Sequence, residues 1–492
     1  MNLETIFNKK IFLQTSNHPT PHLETELEIM QRLLEQGNTI YWMICNGDFQ
    51  TCFHNPEHKL MHCKVCHSRV NHGLKALQEQ VTNHENLHIL HYNQFLTLNQ
   101  FKQNSNFPTT FDFKDIKTLK TYFYKDYDNG MATMSSLVSY TRDHEPDLKK
   151  YQDFIYRGLL TGAYLYEVFQ LVLSQIQPDL TILFNGRFVE NRPLLRVCEN
   201  KQVDYATHER GGNLKNFLFR LNSIPHSFAA IDKEMKALWE SAVDNKKEIG
   251  QNFFIKKVKR VEDAWHSFTK NQKFGRLPAS FSENENKKII TIFNSSLDEY
   301  EGLAGFGPKF YVNDNEGIKQ ISTSLLDFPN IKLYLRIHPN LKGLDNTQNR
   351  FINQEIKGLE SVEIIPAEDS VDTYELVKKS DIIIVFTSTV GIEAAFLNKK
   401  VVLLGRAMYE NLDCVVIPKS HEELMTILTD DTYEFPKANP EAPLKFGYWY
   451  ENFGTDYKYY VASAISKGKY NGKSIKANFV LRRIKRFVKW FS

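Results

Sequence analysis

The chain has 492 residues, 42% hydrophobic and 24% charged, with a formal net charge of +3. That length exceeds one ordinary core, so two domains are expected. The nearly balanced charge argues against a nucleic-acid partner, and the lack of a run of eighteen apolar residues argues against a membrane-spanning helix. Aromatic content is high, with 35 Phe and 23 Tyr. An AT-rich genome produces the same excess, so it is not read as a carbohydrate cleft.

Met1–Gln14 has no long apolar core and is not expected to be a secretory signal. Residues 23–36 carry Leu23, Leu27, Met30 and Leu33 at helical spacing, with Gly37 and Asn38 as the stop. Thr39–Ile44 then reads as a strand. The next stretch holds Cys45, Cys52, Cys63 and Cys66 within 22 residues, with histidines interleaved. In a reducing cytosol such a cluster points to metal rather than disulfides. Four thiolates complement a closed tetrahedral zinc site, and Cys63-x-x-Cys66 is zinc-knuckle spacing. An Fe–S cluster is the main rival. A closed site leaves no open position, so its role is structural, and no redox cofactor is expected. Cys198 and Cys414 stand alone, as buried small side chains do. Asn129-Gly130 through Ser135-Ser136, with Arg142, reads as a Gly/Ser loop near a cleft.

A helix over Tyr156–Gln175 feeds the strand Leu180–Phe184, which ends in the tight turn Asn185-Gly186-Arg187. Val203–Thr207 reads as the next strand, ending in a loop His208-Glu209-Arg210-Gly211-Gly212. A carboxylate or an imidazole at a strand's carboxyl end suits general acid–base work or the stabilisation of developing positive charge. Glu209 or His208 is the candidate. Asn185 belongs to the same edge, and Arg187 and Arg210 are candidates to hold an anionic substrate.

The polar stretch Lys270–Lys288 marks a boundary. Strand Ile289–Phe293 follows and runs into Asn294-Ser295-Ser296. Ile331–Arg336 is another strand, ending in Arg336-x-His338-Pro339, where a cation and an imidazole suit a phosphate. A helix over Tyr374–Lys379 leads into the buried strand Asp381–Phe386. Thr387-Ser388-Thr389 sits at its carboxyl end and precedes a helix over Val390–Asn398. Free N–H groups and hydroxyls at that helix start suit an anion. Gly391 would let a ligand approach the backbone, and Glu393 is placed for ribose hydroxyls. No Asp-x-Asp motif stands at a strand end, so a metal at the donor is not required. Helices alternating with strands predict parallel doubly wound sheets, with ligands at the strands' carboxyl ends.

Beyond about 430 the chain turns Pro-rich, then aromatic. The last stretch, from Ser474, is basic without an acid. Val480, Leu481, Ile484, Phe487, Val488 and Phe491 share one helical face, and Trp490 lies toward the polar side. This is an interfacial amphipathic pattern, worth about 1 kcal/mol per basic residue at an anionic surface.

Arg336-x-His338-Pro339, about forty residues before Asp381 and Ser388-Thr389-x-x-x-Glu393, resembles the nucleotide-binding half of bacterial surface-polysaccharide glycosyltransferases. These include capsule polysaccharide biosynthesis proteins, capsule Kdo transferases and His-Pro-motif sialyltransferases. The resemblance is clearest over 288–405, and a similar cysteine-rich loop occurs in some of these proteins. It implies the GT-B architecture, two Rossmann-like domains facing a cleft. It also implies that His338 contacts the donor phosphate, that Ser388 and Thr389 bind phosphate, and that Glu393 holds ribose or base. Ser295 and Ser296 join them on the donor side. The Asn-Gly-Arg turn and His-Glu-Arg-Gly-Gly segment resemble the acceptor half.

The expected organisation is an acceptor domain over 1–280 and a nucleotide-sugar domain over 281–430. A return segment over 431–473 and a membrane-associating helix over 474–492 complete it. The expected activity moves a sugar from a nucleotide-sugar donor to a lipid-linked capsule or surface glycan. The expected location is cytoplasmic, at the inner face of the membrane. A teichoic-acid-type polyol-phosphate transferase, a nucleotide-sugar 2-epimerase and a non-catalytic assembly factor are the alternatives.

Overall fold

The computed structural model describes residues 3–16, 18–242, 244–261, 267–303 and 305–491, with side chains as far as 485. Six strands belong to the first half: β1 Lys10–Thr15, β2 Thr39–Ile44, β3 Leu87–His91, β4 Leu180–Phe184, β5 Tyr205–Arg210 and β6 Asn216–Leu221. Five belong to the second: β7 Lys288–Phe293, β8 Ile331–Arg336, β9 Val362–Ile365, β10 Ile382–Val385 and β11 Lys400–Leu403. β12 Thr455–Asp456, β13 Tyr460–Ala464 and β14 Lys467–Tyr470 follow.

The first sheet has the order β12-β6-β5-β4-β1-β2-β3. β1 to β5 pair in parallel, and β6 and β12 close the edge antiparallel. The second sheet, β11-β10-β7-β8-β9, is parallel throughout. Its central strands are apolar on both faces because helices cover both, and Ile290, Ile292, Leu333, Leu335, Ile383 and Ile384 are fully buried. The two doubly wound units face each other, joined along a seam where Arg142 pairs with Asp298 and Lys120 with Glu301.

Several elements coincide with the hydrophobic pattern. The helix His22–Glu35 and strand β2 fall where periodicity and the Gly37 stop put them. Two segments differ. Asn129–Thr141 is a buried helix rather than a loop, with Arg142 in the left-handed region at its end. β5 extends to Arg210, because β6 returns antiparallel and pairs Glu209 with Leu218.

The helices Phe228–Ser241 and Lys246–Val258 lie with the second unit. They share a core with the helix Ala442–Asn452, built on Phe253, Phe254, Phe446 and Trp449. Lys246–Val258 and Ala442–Asn452 touch backbone to backbone: a Cβ on Gly447 would lie 2.2 Å from the Gly250 carbonyl oxygen. From that helix the chain crosses back to the first unit, adds β12 to its sheet, and lays β13 and β14 on the helix His22–Glu35. Glu28, buried on that helix, fixes the return. Its carboxylate accepts the backbone N–H groups of Lys458, Tyr459 and Tyr460 at 2.8, 2.7 and 3.0 Å.

Glu28→Ala should strand those three N–H groups and cost on the order of 2–3 kcal/mol. Denaturant unfolding measures the loss, and limited proteolysis should cut first between 453 and 475. Unchanged cleavage there would mean that Glu28 does not hold the return.

Candidate functional site

Parallel strands deliver their carboxyl ends to one edge, and in the second unit three of them line a cavity of about 310 Å³. β7 supplies Asn294, Ser295 and Ser296. β8 supplies Arg336 and His338. β10 supplies Thr387, Ser388 and Thr389, and Glu393 follows on the helix Val390–Phe396. The structure thus brings Ser295, Ser296, Arg336, His338, Ser388, Thr389 and Glu393 to one cavity.

Each has a defined state. Arg336 is buried and donates to the carbonyl oxygens of Pro366 at 2.5 Å and Asp369 at 2.9 Å. Its Nε–H makes no hydrogen bond. Asn294 Oδ1 accepts the His338 backbone N–H at 2.7 Å, while Asn294 Nδ2 is buried without a partner. Buried donors in such a state are rare, and a ligand is one explanation of them. His338 Nδ1 accepts the Asn340 N–H at 3.2 Å, which leaves the proton of the neutral ring on Nε2. Burial pushes His338 down to about 4, with Asp298 opposing. With its pKa held down by burial, the imidazole is neutral at pH 7 and keeps one N–H to donate.

Glu393 accepts hydroxyl hydrogen bonds from Tyr374 at 2.8 Å and Thr389 at 3.2 Å. Burial raises its pKa. Ser295 Oγ accepts from Thr387 Oγ1 at 2.6 Å, tying β7 to β10. Gly391 serves packing rather than ligand approach: a Cβ there would meet Tyr409 Oη at 2.2 Å and Val385 Cγ2 at 2.8 Å.

Sequence reasoning missed Lys257, Gln272, Tyr374 and Tyr450, which also line this cavity. Lys257 comes from the helix Lys246–Val258, numbered with the first half, and its charge bears on Glu393. A second basic residue in the last turn was its faint signal.

Across the cleft, β4 ends in Asn185-Gly186, both with positive φ (52° and 87°), turning the chain into Arg187. Asn185 Nδ2 donates to Glu209 Oε2 at 2.8 Å, and His22 Nδ1 lies 3.8 Å from Glu209 Oε1. Glu209 remains partly exposed, with 16% of its side chain accessible. Arg187 Nε makes no hydrogen bond, and the guanidinium feels the charges of Glu209, Glu299 and Asp298. Glu299 lines the cavity of the second unit, so Arg187 spans the two walls electrostatically. Arg142 pairs with Asp298 across the same seam.

Two expected residues stand elsewhere. His208 is fully buried, and its Nε2 shares a hydrogen bond of 3.1 Å with Glu26. Glu26 in turn accepts from Thr15 at 2.5 Å, and Thr15 accepts from Trp42 at 2.6 Å. This chain sits behind β5, so His208 supports the strand and does not meet a substrate. Arg210 lines a separate small pocket beside Tyr457 and Tyr460. The sequence does contain Asp126-x-Asp128, but Asp128 is engaged by Arg192 and Arg196.

Cys45, Cys52, Cys63 and Cys66 line one pocket of about 60 Å³ in the first unit. On the tail helix Phe479–Phe491, Phe479, Val480 and Ile484 are exposed. The Asn478 N–H donates to Ser68 Oγ at 2.9 Å, seating the helix start on the helix Leu60–Gln78. The side chains of Phe487, Val488, Trp490 and Phe491 lie outside the described residues. Among the described residues no helix is long and apolar enough to cross a membrane.

Residues 310–412 match the family model for capsule polysaccharide biosynthesis proteins. No curated protein matches the chain. Among solved structures, the Thermosulfurimonas dismutans KpsC beta Kdo 2,4 transferase is similar, at 12% identity and a TM-score of 0.37, over 62% of this chain and 87% of that one. The beta Kdo 2,7 transferase of the same protein has 14% identity and a TM-score of 0.36, over 65% and 90%. The UDP-GlcNAc 2-epimerase from Neisseria meningitidis, bound to UDP-GlcNAc, has 11% identity and a TM-score of 0.25, over 98% and 100%. All three scores fall below 0.5. The matched segment 310–412 contains Arg336, His338, Ser388, Thr389 and Glu393.

Proposed function

We propose that this chain is a glycosyltransferase of capsule or surface polysaccharide assembly, taking its sugar from a nucleotide-sugar donor. The observation that carries this reading is the convergence of β7, β8 and β10 on one cavity walled by hydroxyls and N–H donors. Arg336 Nε and Asn294 Nδ2 are buried there without partners. A diphosphate supplies the acceptors they lack. Neutral His338 donates to the bridging or leaving phosphate through Nε2, and Lys257 supplies positive charge. Ribose hydroxyls meet Glu393.

Glu209 acts as the base on the opposite wall. It takes the proton of the acceptor hydroxyl as that oxygen bonds to the anomeric carbon. The carbon–phosphate oxygen bond breaks, and its electron pair leaves on the diphosphate. Asn185 orients the carboxylate, and Arg187 favours an anionic acceptor. With Asp128 already engaged by two arginines, the donor chemistry proposed here uses no divalent metal. The exposed Val480 and Ile484, with Arg482 and Arg483 beside them, support docking of this helix on an anionic leaflet, where a lipid-linked acceptor would lie.

A thermal-shift screen with nucleotide sugars should find one that raises the Tm. His338→Ala and Lys257→Ala should each weaken that ligand about tenfold, or about 1.4 kcal/mol. No shift with any nucleotide sugar would sink the donor reading. His338 is neutral above about pH 4 because burial lowers its pKa, so affinity for the nucleotide sugar should stay level from pH 6 to 8. An imidazolium contact would instead weaken as pH rises through that range.

Glu209→Gln should lower transfer on the true acceptor by about 10²–10⁴-fold and leave donor binding intact. Conversion of the nucleotide sugar alone into its 2-epimer would replace transfer with epimerisation. Val480→Glu with Ile484→Glu should reduce cosedimentation with anionic phospholipid vesicles, with donor binding unchanged. Retained cosedimentation would remove the membrane role of this face.

A further inference from the structure

The cysteine pocket lies outside the donor and acceptor walls, and nothing in the proposed transfer uses it. Its four thiols come from three segments that the sequence separates. Cys45 directly follows β2, Cys52 lies in the connection beyond it, and Cys63 and Cys66 lie in the first two turns of the helix Leu60–Gln78. An i, i+3 pair on one helix face presents both sulfurs to the same side. His18 and His54 line the same pocket.

The connection between Cys45 and Lys59 has no regular secondary structure. A long, structureless connection in a compact domain needs something to hold it. It is tied to the first unit by the Phe53 N–H to Glu190 Oε1 and the Gln50 N–H to Thr161 Oγ1, both at 3.2 Å, and to the helix start by Asn55 Oδ1, which accepts the Lys59 N–H at 2.8 Å. The helix it leads into starts at Lys59 without a side-chain cap.

Two of the four sulfurs already accept hydrogen bonds of the kind that thiolate ligands use. The Gly47 N–H donates to Cys45 Sγ at 3.2 Å, and Asn55 Nδ2 donates to Cys63 Sγ at 3.2 Å. Such partners orient ligands and spread their charge in metal sites. Among the described residues, no three His, Cys, Asp or Glu side chains stand drawn together on one point. All four thiols line one pocket, so closing the set is a matter of side-chain rotamers that the proposal requires to change.

We propose that Cys45, Cys52, Cys63 and Cys66 close on one zinc ion, a structural site that staples the 45–59 connection to the helix Leu60–Gln78. Zinc suits four thiolates in tetrahedral array and brings no redox chemistry. The same helix carries the tail at Ser68, so the ion sets the footing of the proposed membrane-binding helix.

The test is metal content of the full chain, purified without chelator, by inductively coupled plasma mass spectrometry. One zinc per chain is expected. Cys63→Ser with Cys66→Ser should lose it, and Cys198→Ala should keep it. Cobalt offered to the chelated wild-type chain should give the intense visible bands of tetrahedral thiolate coordination, a readout independent of the variants' folding. Iron with broad visible absorption would overturn the zinc assignment in favour of a cluster. Wild-type chain that binds neither zinc nor cobalt, or zinc retained in the double variant, would overturn the site.

Discussion

A parallel sheet puts every strand's carboxyl end on one edge, and the candidate site depends on that constraint twice over. In the second unit β7, β8 and β10 are hydrogen-bonded neighbours whose registers align Phe293 with Arg336 and Val385. The residues just past those positions are therefore forced together, although ninety residues separate Ser295 from Thr387. In the first unit β4 and β5 align Phe184 with His208, which sets Asn185 beside Glu209. Neither wall needs a long loop to assemble it. The walls are rigid because the strands behind them are buried on both faces.

Facing the walls is a separate problem, and charge and chain connectivity solve it together. Arg142 with Asp298, Lys120 with Glu301, and the hydrogen bond from Thr347 N to Asp143 at 3.1 Å tie the units along one seam. The crossing helices and Glu28 tie them at the other end. Surface ion pairs are individually weak. Here Asp298 is nearly buried, and its pair with Arg142 sits beside the donor cavity, so the seam and the site share residues.

The strands and most of the cavity lining in the second unit were legible because each rests on local pattern. An apolar run followed by small hydroxyl residues marks a strand end, and Ser295, His338 and Ser388 were found that way. Lys257 and Tyr374 were not, since their place in the cavity comes from tertiary packing of helices whose own sequence is unremarkable. His208 was misjudged for a related reason. Its strand runs three residues further than the pattern suggested, because β6 pairs with it. A histidine that reads as a loop residue then lies in the core, bonded to Glu26. Gly391 was read as room for a ligand, but its missing Cβ makes room for Tyr409.

The orphaned donors say what kind of ligand the cleft takes. Arg336 Nε and Asn294 Nδ2 on one wall and Arg187 Nε on the other are all N–H groups without acceptors. A buried donor left unmade costs about 1–3 kcal/mol, and the surrounding structure could have removed that cost with an apolar side chain at each position. Three donors retained around one cleft, with neutral His338 and Lys257 beside them, favour a ligand rich in acceptor oxygens over an apolar or cationic one. Carboxylates are not missing from the cleft, but each has a partner: Glu393 holds Tyr374 and Thr389, Glu299 holds Asn340, and Glu209 holds Asn185. Among these residues the uncommitted groups are three donors, Arg336 Nε, Asn294 Nδ2 and Arg187 Nε, and one acceptor, Asn185 Oδ1, a balance that suits the acceptor-rich ligand proposed above.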